Sequence, residues 1–144
     1  MIIYCTGCEK DVEARLTFGT ERYPHRKDLY EIPFWKCDTC GNYVGCHHKT
    51  RTPTQPLGCI ATPELLKARN LIHALLDPIW KSGKMQRGQI YGYLTGKLKH
   101  KYSREHPKGG LFYQYHTGEI RSIEEARDVY KALLSLKAGL ENDA

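Results

Sequence analysis

Two C-x-x-C pairs, Cys5-Thr6-Gly7-Cys8 and Cys37-Asp38-Thr39-Cys40, stand 28 residues apart and set the strongest limit on what this chain can fold into. A C-x-x-C turn delivers two thiolates to one ion, and two such turns complete a tetrahedron around zinc. Gly7 inside the first pair and Gly41 after the second stand where a tight knuckle uses glycine. The pattern predicts a structural zinc ribbon with Zn2+ held by Cys5, Cys8, Cys37 and Cys40. The other reading of the same residues is four buried or redox-exchanging thiols. A closed four-thiolate site leaves no open position for chemistry, so it specifies a scaffold rather than an activity.

The chain has 144 residues, enough for one domain or for a small metal-held domain beside a second. The ribbon segment, residues 1–60, is close to the size at which a core needs a metal to fold. No apolar run reaches the ~20 residues of a membrane span, and the start lacks the basic flank and long apolar run of a signal peptide. The expectation is a cytoplasmic protein with no membrane partner, whose cysteines stay reduced and available to metal. The net charge of +6 is concentrated in the middle: residues 1–62 carry 8 basic and 7 acidic side chains, residues 63–121 carry 11 and 4, and residues 122–144 carry 3 and 5. That excess favours an anionic partner, DNA or RNA above all, although solubility alone also selects such charge.

The fold class expected is α+β: an N-terminal four-cysteine zinc ribbon of two to three antiparallel strands (1–60, including a Pro/Thr loop) packed on a C-terminal three-helix unit (61–144). Val12, Ala14, Leu16 and Phe18 alternate with polar residues and read as one half-buried strand ended by Gly19. Tyr30 to Trp35 leads into the second knuckle, with Pro33 arguing for an edge or broken strand. Residues 42–47 offer a third strand. Thr62-Pro63-Glu64 is a helix start, and Leu65, Ala68, Ile72, Leu75, Leu76 and Ile79 form its apolar stripe, ended by Ser82-Gly83. A second helix is expected over 86–100, with Ile90, Leu94 and Leu98 inward. Gly88, Gly92 and Gly96 recur every four residues on it and suggest close backbone packing. Leu111 to Tyr115 offers a short strand. Ser122-Ile123-Glu124-Glu125 is a capping box opening a third helix that closes near Gly139.

Three groups of side chains outside the knuckles have chemical potential. Arg69, His73 and Asp77 recur at one helical turn, which suits a buried polar stripe, a phosphate contact, or a general base with its orienting carboxylate. His116-Thr117-Gly118 either closes a site with His73 or forms a turn. Lys81, Lys84, Arg87, Lys97 and Lys99, interleaved with Tyr91 and Tyr93, form the best nucleic-acid footprint, the cations meeting phosphates and a tyrosine stacking on a base. The alternative is a well-solvated helix face. Cys46, His47 and Cys59 lack the spacing of a second zinc site and read best as buried small residues in the case of the cysteines. No Walker loop, G-x-S-x-G elbow, H-E-x-x-H motif or dinucleotide fingerprint is present, which favours a binding protein over an enzyme.

Cys5-x-x-Cys8, Phe34-Trp35-Lys36-Cys37-Asp38-Thr39-Cys40, Val44-Gly45-Cys46-His47, Pro56-Leu57-Gly58 and Ala61 occur in an order that resembles a family of small phage and prophage proteins with a zinc-finger-containing domain of unknown function. Ala68-Arg69, His73, Asp77, Trp80, Arg87, Tyr91 and Leu94 continue the resemblance through residue 95. It implies a zinc fold and a phage or bacterial setting, and supplies no activity. The leading expectation is a zinc-ribbon nucleic-acid-binding protein. The alternatives are a phage-encoded inhibitor that docks on a host defence or transcription protein through Tyr23, Tyr30, Phe34 and Trp35, and a hydrolase of nucleotides or nucleic acid that uses His73 and Asp77.

Overall fold

The computed structural model describes residues 1–102 and 117–142, without the side chains of Lys99 and His100. The expected strand at 111–115 and His116 lie outside the described residues. The architecture is α+β, with antiparallel strands first and helices after. The chain divides into two compact units, Met1–Glu64 and Leu65–Ala144.

In the first unit each knuckle is the loop of a hairpin. β1 (Ile2–Cys5) pairs antiparallel with β2 (Lys10–Glu13), Ile3 opposite Val12 and Cys5 opposite Lys10, so Cys5 ends the first strand and the turn that follows carries Cys8. A second sheet has the order β3 (Arg15–Phe18), β4 (Pro33–Lys36), β5 (Tyr43–Gly45), all antiparallel, and the β4–β5 turn carries Cys37 and Cys40. Ile3, Cys5, Ala14, Cys37, Val44 and Ile60 form the core, flanked by Cys8, Val12 and Trp35. Two of the four knuckle sulphurs are therefore part of the apolar interior.

The stretch expected to be one strand is two, in different sheets. The break falls at Ala14, whose N–H donates to the Met1 carbonyl at 2.9 Å as the last rung in register with the β1–β2 ladder, after which Arg15 pairs with Lys36 of β4. Beyond it the inward phase shifts: Thr17 is buried, whereas Leu16 and Phe18 are 37% and 42% exposed. A strand has period two, so a change of one residue exchanges its faces.

β4 is central rather than an edge. Pro33 takes its first position, opposite Phe18, where a missing ladder donor is tolerated. Between β3 and β4, α1 (Gly19–Arg22) and a turn at Lys27–Leu29 fill the connection. A side chain at Gly19 would put Cβ 1.7 Å from the Leu29 carbonyl oxygen, so only glycine fits there. Arg22 places its guanidinium 4.8 Å from the ring centre of Phe34, 5.0 Å from Tyr43 and 5.2 Å from Tyr23.

The Pro/Thr loop returns along the ribbon. Trp35 Nε1 donates to the Thr54 carbonyl at 2.7 Å, His47 N–H to Gln55, and Leu57 N–H to Gly45. Thr6 N–H then donates to the Ile60 carbonyl, and Ile60 N–H to that of Tyr4. One segment thus hydrogen-bonds to both sheets, and its buried Ile60 sits in their shared core.

The second unit contains the long helices α2 (Pro63–Lys81), α3 (Arg87–Tyr102) and α4 (Ile123–Asn142). α2 starts at Pro63, as the first-turn preference for proline predicts, and continues through Pro78. Gly83 follows it at φ +80°, the left-handed conformation that glycine adopts without a steric penalty. Leu65, Ile72, Leu76 and Ile79 are the buried residues of α2; Ile90, Leu94 and Leu98 are buried on α3 as expected; and Ala126, Val129 and Leu133 are the buried apolar residues of α4. The glycines of α3 do not mark close packing among the described residues: a Cβ at Gly88, Gly92 or Gly96 would meet no atom within 4 Å. The capping box opens α4, with Ser122 Oγ accepting from Glu125 N–H at 3.0 Å, while the buried Glu125 carboxylate accepts from Arg121 N–H at 3.2 Å. Lys101 and Tyr102 of α3 both bond Asp128 of α4, and Lys101 also bonds Glu124.

Candidate metal centre and nucleic-acid interface

The two knuckles have the same local design. Backbone N–H groups of Gly7 and Cys8 point to Cys5 sulphur, and those of Thr39 and Cys40 to Cys37 sulphur. The residue after each pair is left-handed: Glu9 at φ +55° and Gly41 at φ +78°. Only the second of these was legible from residue type, since glutamate seldom adopts that conformation. Gly7 faces the opposite knuckle, where an added Cβ would come within 3.0 Å of Asn42 Nδ2 and 3.3 Å of Cys40 Sγ.

All four sulphurs lie within 4.8 Å of one another. Two pairs cross between knuckles, Cys5 to Cys40 at 3.3 Å and Cys8 to Cys37 at 3.7 Å. A tetrahedron with metal–sulphur bonds of ~2.3 Å has edges of roughly 3.8 Å, so the cluster matches that of a zinc tetrathiolate. Asn42 Nδ2 donates to Cys40 Sγ at 3.3 Å, the kind of outer contact that orients a ligand. For the thiols alone, burial pushes Cys5 up to about 12. Burial also acts upward on Cys37, yet the N–H groups of Cys40 and Thr39 and neighbouring thiols bring it down to about 7. A hydrogen bond with Cys37 raises Cys8. Four thiolates this close repel one another, and a bound cation offsets that repulsion.

The second knuckle is fixed from outside by Arg15, whose Nε and Nη2 donate to the two oxygens of Asp38 at 2.9 Å each, Nη2 also reaching Glu21. Cys46 and Cys59 are buried, and burial alone raises the Cys46 thiol. Among the described residues, the four knuckle cysteines are the only group of three or more histidine, cysteine or carboxylate ligand atoms close enough to share an ion.

Along α2, Arg69 Nη2 donates to the carbonyls of Gly118 (3.1 Å) and Ile120 (2.9 Å) in the turn before α4. His73 Nε2 lies 3.1 Å from Thr117 Oγ1 in the same turn, and its Nδ1 is 3.9 Å from Asp77 Oδ1. That Asp77 oxygen accepts from Trp80 Nε1 at 3.1 Å. The stripe therefore ties α2 to residues 117–120, and Arg69 is not among the exposed cations.

Three of those cations lie where α2 gives way to α3, and Lys97 lies further along α3. Lys81, Lys84, Arg87 and Lys97 are exposed and, among the described residues, pair with no carboxylate. Lys81 Nζ and Arg87 Cζ lie 5.7 and 5.4 Å from the Trp80 ring centre, and Lys97 Nζ lies 5.7 Å from that of Tyr93. Trp80 is half-buried and lies outside the set expected to contact nucleic acid; only its contacts show it joining Lys81 to Arg87. Tyr91, expected to stack on a base, is 6% exposed, one position from the buried Ile90. Tyr93 keeps an outward part. The Lys99 side chain lies outside the described residues.

Antiparallel hairpins joined by four clustered cysteines, followed by helices, define the class of zinc-finger domains. The chain matches the zinc-finger-containing domain family over residues 1–125 and belongs to it. No curated protein and no solved structure matches it. Among the described residues no helix is long and apolar enough to cross a membrane.

Proposed function

We propose that this protein binds nucleic acid through the basic surface of its helical unit, with zinc in the four-thiolate site serving structure alone. The observation that carries this reading is the group Lys81, Lys84, Arg87 and Lys97. These cations are exposed and unneutralised by described carboxylates, and three of them are held on aromatic rings. A ring restrains a cation without cancelling its charge, so the field toward an anionic partner is kept. Lys101, by contrast, is engaged by Glu124 and Asp128 and is left out of the surface. A closed tetrathiolate offers no site for substrate, which assigns the metal to folding. A cytoplasmic location belongs to this reading, because reduced thiols are needed to hold the ion. So does the phage or prophage setting that the sequence resemblance implies.

The inhibitor reading relied on an exposed aromatic patch. Phe34 is buried, Tyr23 and Phe34 hold Arg22, and Trp35 and Tyr30 bond the Thr54 and Pro24 carbonyls, so no observation favours it. The hydrolase reading needs a carboxylate orienting His73; Asp77 stands 3.9 Å away and accepts from Trp80 instead.

Fluorescence anisotropy with labelled DNA and RNA across a salt series tests the proposal. Affinity is expected to fall linearly on a log–log plot, and the combined Lys81→Ala, Lys84→Ala, Arg87→Ala variant to lose at least about tenfold, with its slope shallower by about 2–3. No complex at low salt, or a triple variant that binds as the parent does, contradicts it.

A further inference from the structure

We infer that the strand bound is single, with a nucleobase stacking on Trp80 while Arg87, Lys81 and Lys84 take the adjoining phosphates; this rests on the nucleic-acid reading above. Trp80 occupies the last turn of α2 and Arg87 the first position of α3, with Lys81 and Lys84 between them in sequence. The indole is anchored by its edge, since Nε1 donates to Asp77 Oδ1 at 3.1 Å, and the anchor leaves the ring faces to the two cations. A cation over a partly exposed ring is a weak contact, worth about two- to fivefold in an equilibrium. A base stacked on an aromatic ring is worth about five- to 150-fold. A base can therefore replace a cation on the ring, and the released cation finds the phosphate of the same nucleotide. Tyr93 and Lys97 repeat the aromatic–cation pairing further along α3, and Arg87 to Lys97 spans roughly 15 Å of helix axis. That length suits a short run of nucleotides.

Duplex DNA does not satisfy this arrangement. Its bases are stacked on each other and expose only their edges, whereas the aromatic groups here offer ring faces beside cations. Single-stranded DNA and single-stranded RNA share the chemistry required.

The test uses the full zinc-loaded chain with a 20-mer of deoxythymidylate, a 20-mer of uridylate and a 20-base-pair duplex, followed by anisotropy and by tryptophan emission. The expected result is at least about tenfold tighter binding of one or both single strands than of duplex, with quenching of tryptophan emission. Trp80→Phe should weaken single-strand binding about fivefold or more and remove most of the quench. Trp35→Phe should keep the quench, which assigns it to Trp80. The parent protein alone keeps the idea falsifiable should a variant not fold. Duplex bound as tightly as single strands, without quenching, overturns the stacking inference while leaving nucleic-acid binding in place. Binding of none of the three overturns both.

Discussion

At the scale of single residues, the metal site is written in side chains but finished by backbone. The cysteines were legible because four thiols in two short pairs have few other uses. The left-handed residue after the first pair was not, because position 9 is glutamate whereas its counterpart at 41 is glycine. An L-residue in that conformation costs about 1–2 kcal/mol, partly offset by the lower unfolded-state entropy of a non-glycine residue. Glu9→Gly is therefore expected to stabilise the first unit by up to about 1 kcal/mol, and Gly41→Ala to destabilise it by about 1 kcal/mol or more. Thermal unfolding at fixed free zinc checks both signs. Equal effects of the two substitutions would contradict the matched-knuckle geometry.

At the scale of elements, helices were easier to read than strands. The α2 stripe and the Ser122 cap follow from local spacing and local hydrogen bonds, which sequence displays directly. The division of the 12–18 stretch between two sheets does not, because it depends on which distant strand each half pairs with, β1 up to Ala14 and β4 from Arg15. Pro33 pointed to an edge because sequence cannot show that the first position of a central strand excuses proline. The α3 glycines show the reverse error, a regular local pattern without the tertiary contact it suggested. The joint between α3 and α4 gives a pH prediction. The Tyr102 hydroxyl and Lys101 ammonium hold Asp128 below its ordinary value. Its folded pKa is below its unfolded one, so the contribution is full above about pH 4 and is lost as pH falls through the folded value. Asp128→Asn is expected to cost about 1 kcal/mol at pH 7 and to flatten the acid limb of stability below pH 4. Urea unfolding from pH 2 to 7, followed by helical circular dichroism, measures this; an unchanged acid limb would contradict it.

At the scale of the whole molecule, the two units solve the folding problem by different means. Among the described residues, the second unit has three long helices with apolar buried faces. Met1–Glu64 has short strands and a small core in which Cys5 and Cys37 are among the buried residues, with Cys8 at its flank. A unit of that length is marginal in the apolar surface it can bury, and four sulphurs within 4.8 Å of one another are placed to provide a stabilising crosslink. The nucleic-acid surface and its stacking tryptophan are proposals about the helical unit; the ribbon's account depends on the metal. Elemental analysis of natively purified full-length protein, with free thiols protected from oxidation, tests that dependence most directly. The expected result is one zinc per chain in the parent and a loss of bound zinc in Cys37→Ser. No bound metal, or undiminished zinc after Cys37→Ser, would contradict the four-thiolate site.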